Sequence, residues 1–169
     1  MFFIGIVQAM QEILLPLFAT DLGFTITDVG IIVGMASAIA IAALLFLGNY
    51  LKRSIGQSLL LFSFLMIAFP LLAPVLTDFM GLIILSGLFL MGRTSGLTMS
   101  RSFFSEFSDT HKATIMSVGE TIYYFSRSVG SVLAGYTLET VSFDAAFTLM
   151  TALTIIVMGG SIALIFAKR

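Results

Sequence analysis

Residues 119–136 read GETIYYFSRSVGSVLAGY. The stretch lies inside a long apolar run, yet it carries Glu120 and Arg127, and it spaces Ser126, Gly130 and Ala134 four residues apart. A charge at bilayer depth costs at least ~2.5–3.5 kcal/mol on insertion scales, so such residues face a bundle interior or an aqueous cavity. Small residues at helical spacing let a second helix approach closely. Together these features describe one helix of a membrane-embedded bundle, with one face for packing and one for a polar interior.

The rest of the chain has the same character. Of 169 residues, 59% are hydrophobic and 10% charged, with a mean hydropathy of +1.11, values outside the range of soluble globular domains. Runs long enough to cross ~30 Å of hydrocarbon, at about 20 residues each, fall at 2–19, 29–48, 57–76, 79–104, 114–137 and 144–166. The first is read as a permanent helix and not a secretory signal: it lacks a basic flank, holds Gln8, Gln11 and Glu12, and leads directly into a second apolar run. The expected fold is all-α, a single six-transmembrane-helix domain over residues 1–169, since spans near 20 residues do not suit a β-barrel. Pro16, Pro70 and Pro74 are placed within helices one and three, where they kink the axis or loosen its end. Short loops predict that sequential helices are antiparallel neighbours. With no Cys and a single His, the sequence offers no disulfide, thiol or structural-zinc chemistry, and no metal or cofactor is expected.

The connections alternate in charge. Asp21 and Asp28 follow the first run, Asp78 the third, and Glu139 and Asp144 flank the fifth connection. Lys52 and Arg53 follow the second run, His111 and Lys112 the fourth, and Lys168 and Arg169 close the chain. Because cytoplasmic loops carry the excess of Lys and Arg, both termini are expected inside a plasma (inner) membrane. Helices one and four each carry a mid-span charge, Glu12 and Arg93, and helices two and five each carry a small-residue stripe. Three being odd, the second trio runs inverted to the first, which predicts a 3+3 inverted repeat.

Five charges fall within the spans: Glu12, Arg93, Arg101, Glu120 and Arg127. Glu12, Arg93 and Arg127 come near mid-depth. Arg101 and Glu120 sit about 11 Å nearer the cytoplasm at ~1.5 Å per residue. Glu120 and Arg127 share a face but are too far apart to pair, so partners must come from other helices: Arg101 with Glu120 as a structural ion pair, and Glu12 with Arg93 and Arg127. Gln8 shares the Glu12 face, and Tyr123, Tyr124 and Ser131 the Arg127 face. Two arginines against one carboxylate leave excess positive charge, which suits an anionic solute or a protonatable Glu12. Glu12, Arg93, Arg127, Gln8, Glu120 and Tyr124 are therefore the candidate solute or coupling-ion residues. Gly30, Gly34 and Ala38 on helix two, continued by Ala42, and Ser126, Gly130 and Ala134 on helix five are candidate helix-packing residues.

Several stretches resemble the major facilitator superfamily. LPLFATDLGFTITDVGIIVG resembles its passage from first to second helix, and GNYLKRSIGQ (48–57) its loop G-x-x-x-D-R/K-x-G-R/K-R/K, with the acidic position missing and Gly56 displaced by one. GRTSG, with Arg93, resembles the helix-four arginine motif, and SRSVGSVLAGY the small-residue motif of helix five, with Ser131 where proline is common. The resemblance implies one half of a transporter whose helices one, two, four and five border a central cavity. It also implies a second six-helix half or a second copy as partner, this chain being a fragment or a separately expressed half. The expected function is secondary active or facilitative transport of a small solute by alternating access, with protons as candidate coupling ions and no nucleic-acid role. A non-transporting membrane subunit or receptor is the alternative. An intramembrane enzyme is not expected: RTSG superficially resembles the G-x-S-G of rhomboid proteases, but the single histidine, His111, lies in a loop, out of reach of Ser95.

Overall fold

Helix caps cut the apolar runs into elements in a computed structural model that describes residues 1–47, 55–105 and 111–167. The helices are α1 (Phe2–Asp21), α2 (Ile26–Leu47), α3 (Ile55–Leu72), α4 (Phe79–Ser105), α5 (Lys112–Thr140) and α6 (Phe143–Ala167). Between α1 and α2 the chain reverses at Gly23, whose φ of 91° a side chain would resist. Thr25 and Asp28 then form a reciprocal cap: the Asp28 carboxylate accepts from the Thr25 N–H at 2.9 Å, and the Thr25 hydroxyl accepts from the Asp28 N–H at 3.2 Å. Asp78 accepts from the Gly81 N–H at 2.9 Å to cap α4, and Ser142 accepts from the Ala145 N–H at 3.3 Å to cap α6. Phe24 packs on Phe79, and Phe18 on Phe143, which brings all three of these connections to one end of the bundle. That end holds Asp21, Asp28, Asp78, Glu139 and Asp144. Lys52, Arg53, Lys168, Arg169 and most of the GNYLKRSIGQ motif lie outside the described residues.

Two expectations are corrected. Pro74 is not within helix three: α3 ends at Leu72, and Pro74 sits in the turn beyond, where its missing N–H cannot extend the helix. Sequential order sets only one main partnership, α3 with α4. The other close pairs are α1 with α5, α2 with α4, and α3 with α6, while α2 and α3 do not meet among the described residues. A short loop fixes only the ends of two helices; which flanks come together along their length is set by steric fit. Exchanging α1 with α4, α2 with α5 and α3 with α6 turns the α1–α5 pair into α4–α2, so the packing itself carries the 3+3 inverted repeat.

The fit is visible at glycines. A Cβ on Gly130 of α5 would overlap the Ile6 backbone of α1, and one on Gly5 would lie 2.7 Å from the Tyr123 carbonyl oxygen. Ser126, Gly130 and Ala134 are all buried, so the α5 stripe is an internal seam. The α2 stripe is different: Gly30 and Gly34 face open space, with Ala38 and Ala42 exposed along the same line. The core proper gathers Phe62, Phe69, Phe89 and Phe147 from α3, α4 and α6, with Phe69 in edge contact with both Phe89 and Phe147.

Four helices, α1, α2, α4 and α6, are long and apolar enough to cross a membrane, while the described apolar part of α3, Leu60–Leu72, is shorter. At 29 residues α5 has ample length but is the most polar of the six, because it carries Glu120, Arg127 and many hydroxyls. Those hydroxyls are largely satisfied within the helix, as Thr121 on Ser117 O at 2.9 Å and Ser131 on Arg127 O at 3.1 Å show. Replacing Gly130 by Ala should lower stability by about 1–3 kcal/mol, because the methyl group must push α1 from α5. Gly34→Ala should cost nothing in the same thermal-unfolding measurement on the detergent-solubilised chain.

Candidate functional site

The α1–α5 seam places Gln8 and Glu12, one turn apart on α1, against Tyr123 and Arg127, four residues apart on α5. Gln8 is fully buried. A carboxylate oxygen only accepts, so the Gln8 amide turns its NH2 to Glu12, with Nε2 donating to Oε1 at 2.7 Å. Its carbonyl Oε1 then accepts from the buried Tyr123 hydroxyl. Arg127 Nη2 donates to the other Glu12 oxygen, Oε2, at 2.5 Å. From α4, Arg93 Nη1 stands 3.6 Å from Glu12 Oε1. The side chains of Glu12, Arg93 and Arg127 remain 37%, 24% and 36% accessible, so the cluster is not sealed in the core.

The two guanidinium groups are not equivalent. Arg127 is committed to Glu12 by a short charge-assisted bond. Arg93 makes a longer contact to Glu12 and reaches the Tyr123 hydroxyl, and its Nε is buried without a hydrogen-bond partner among the described residues. The cluster carries one negative and two positive charges.

Nearer the other end of the bundle, Arg101 Nε donates to Glu120 Oε1 at 2.6 Å and ties α4 to α5. Both side chains are partly exposed, 44% and 28% respectively, so the pair acts as a modest clamp. Glu120 is thus joined to Arg101 and not to the Glu12 cluster.

The family model of the Major Facilitator Superfamily matches residues 1–169. The chain belongs to the major facilitator superfamily. Members of this superfamily are membrane transporters, and the all-helical bundle with apolar spans fits a membrane-embedded fold of that kind. No curated protein and no solved structure matches the chain.

In this superfamily member the sequence-predicted residues separate into groups. Gln8, Glu12, Arg93 and Arg127 meet in one cluster, and Arg101 and Glu120 in another. Tyr124 is exposed beside them, its ring edge-on to Tyr123 at 5.4 Å. Ser95 is buried in α4, and His111 is exposed at the start of α5. The sequence reading left Tyr123 out of the site, although its hydroxyl anchors Gln8. It also passed over a crevice of about 300 Å³ between α1, α2 and α4, in which Gln11, Ser37 and Ser86 join Glu12 and Arg93. A signal was available: Ser86 precedes Arg93 by seven residues, the same-face spacing that linked Glu120 to Arg127. Removing the hydroxyl in Tyr123→Phe leaves the buried Gln8 carbonyl unpaired, so stability should fall by about 1–3 kcal/mol. Arg101→Ala should cost at most about 1 kcal/mol, the two being compared by thermal unfolding in one detergent.

Proposed function

We propose that the chain is one six-helix half of a transporter that moves a small, negatively charged solute by alternating access. The carrying observation is the cluster of two arginines and one glutamate, partly exposed where α1, α4 and α5 meet. An excess cation near the middle of a membrane domain is costly to maintain, and an anion that binds there compensates it. Superfamily membership supports transport in general, and the unequal arginines support an anion: Arg93 has donors to spare, while Arg127 is held by Glu12.

A carboxylate or similar group that draws Arg127 from Glu12 leaves Oε2 of Glu12 open to a proton. Gln8, Arg93 and Tyr123 surround the same carboxylate, so solute and proton would exchange partners within one network. This links anion entry to proton uptake with no moving part beyond two side chains. The partner is a second six-helix half or a second copy, meeting this half where the cluster is exposed. The location that fits is the plasma (inner) membrane. The end bearing the acidic caps faces outward and both termini face the cytoplasm, since the basic connections belong inside.

Flux in proteoliposomes provides the test, with the chain reconstituted together with its other half and a panel of labelled organic anions supplied as solutes. Arg127→Ala and Glu12→Gln should each reduce uptake at least tenfold. Because the sequence has no cysteine, single cysteines at positions 93, 120 and 127 report water access without background, and all three should react with a membrane-impermeant thiol reagent. Unreactive cysteines and unaltered flux would instead favour a non-transporting subunit or receptor on the same bundle.

A further inference from the structure

The crevice between α1, α2 and α4 adjoins the arginine cluster but is built differently. Its walls are apolar, with Leu15, Val33, Ala36 and Leu90 contributing. Its polar groups are few, and several lack partners. Ser86 is fully buried, and its Oγ has no hydrogen-bond partner among the described residues. Among the described hydroxyls only Ser95, further along α4 and outside the crevice, shares this state; others bond to the carbonyl one turn back: Ser37 on Val33 O at 2.8 Å, Thr98 on Thr94 O at 2.9 Å, Thr154 on Met150 O at 2.9 Å. A buried hydroxyl with no partner is an open valence in the wall of the crevice.

Two more open groups lie beside it. Arg93 Nε is buried and unpartnered. Arg93 also stands two turns beyond Ser86 on one face of α4, and side chains on a helix lean back toward its N-terminus, which aims the guanidinium into the same space. On the α1 wall, Pro16 has no N–H to give the carbonyl of Glu12 four residues earlier, so the proline frees a backbone acceptor at the crevice. The volume, about 300 Å³, matches the lower end of small-molecule sites, which are typically apolar with a few placed polar groups.

Resting on the carrier reading above, we propose that this crevice holds the apolar body of an amphiphilic organic anion, whose charged group lies on Arg93 and whose far end hydrogen-bonds to Ser86. The walls reject a fully polar solute, because four apolar side chains have no bonds to return for its lost hydration. Arg93 rejects a neutral one, because it gains nothing from it. Ser86 distinguishes among the anions by their far ends. The solute is thereby narrowed from any anion to a small carboxylate or comparable anion with a short hydrocarbon body and a terminal polar atom.

Cysteine at Ser37, on the α2 wall, supplies a reporter in a chain that otherwise has none. In membranes containing the full gene product, alkylation of Ser37→Cys by a small maleimide is timed with acetate, hexanoate, hexanamide or ω-hydroxyhexanoate present. Hexanoate should slow alkylation at least fivefold, with acetate and hexanamide nearly without effect. The ω-hydroxy acid should protect at severalfold lower concentration than hexanoate. Arg93→Gln should abolish protection by both acids, and Ser86→Ala should erase only the advantage of the hydroxy acid. Val33→Cys replaces the reporter if Ser37→Cys fails to insert. A reporter on the exposed face beside the cluster, Tyr124→Cys, separates the two levels of the proposal. Reaction at 124 with no protection at 37 or 33 overturns the subsite and leaves the carrier reading standing. No reaction at 124 or in the crevice overturns both.

Discussion

Close approach of α1 to α5 is the constraint on which the arrangement depends. Gly130 admits the Ile6 backbone and Gly5 lies against Tyr123 and Ser126. At that separation a glutamine and a glutamate on α1 come within hydrogen-bond reach of a tyrosine and an arginine on α5. A seam wider by one methyl group would lengthen every one of these contacts. Packing and charge pairing are therefore one device, in which the small-residue face sets the distance and the polar face uses it.

The second pair, α2 with α4, repeats the device with the trios exchanged. Gly87 of α4 takes Ile39 and Ala36 of α2 at contact distance, the same kind of small-against-large fit. Between these two tight pairs the contacts are sparse, since α1 touches α2 and α4 only lightly. The space left open there is the crevice lined by Glu12, Arg93, Ser86 and Ser37. A bundle made of two close pairs with a loose seam supports a cavity in a way that evenly packed helices would not. The apolar core runs from α1 into α3, α4 and α6, and its largest rings meet on the last three.

Along the helix flanks much of the surface is apolar, with Ile41, Leu45, Phe64, Leu71 and Ile155 all exposed. In water such a surface would be a large exposed patch, and in a bilayer it is the solvent-matched side. Membership of the major facilitator superfamily makes sense of the oily exterior, which suits a membrane. The acidic end has a local purpose as well. Asp28 and Asp78 carry weight as helix caps, satisfying N–H groups that hydrocarbon would leave bare, so their position at one end follows from where α2 and α4 begin.

How much of this was legible beforehand depends on the range of each interaction. Helix number, the inverted trios and the separation of the charges into two clusters follow from hydropathy, charge and periodicity along one chain, because the helical repeat converts residue spacing directly into rise along the axis. The family was legible for the same reason, in motifs local to single helices and loops. Lateral neighbours were not: a short loop joins helix ends but says nothing about which flanks meet, so α1 with α5 and α2 with α4 emerge only from three-dimensional fit. The fate of the two small-residue stripes was equally hidden, one forming an internal seam and the other facing open space. So was the difference between Arg93 and Arg127, identical in the sequence and unequal in the fold, because the partners that each guanidinium finds are set by the surrounding helices.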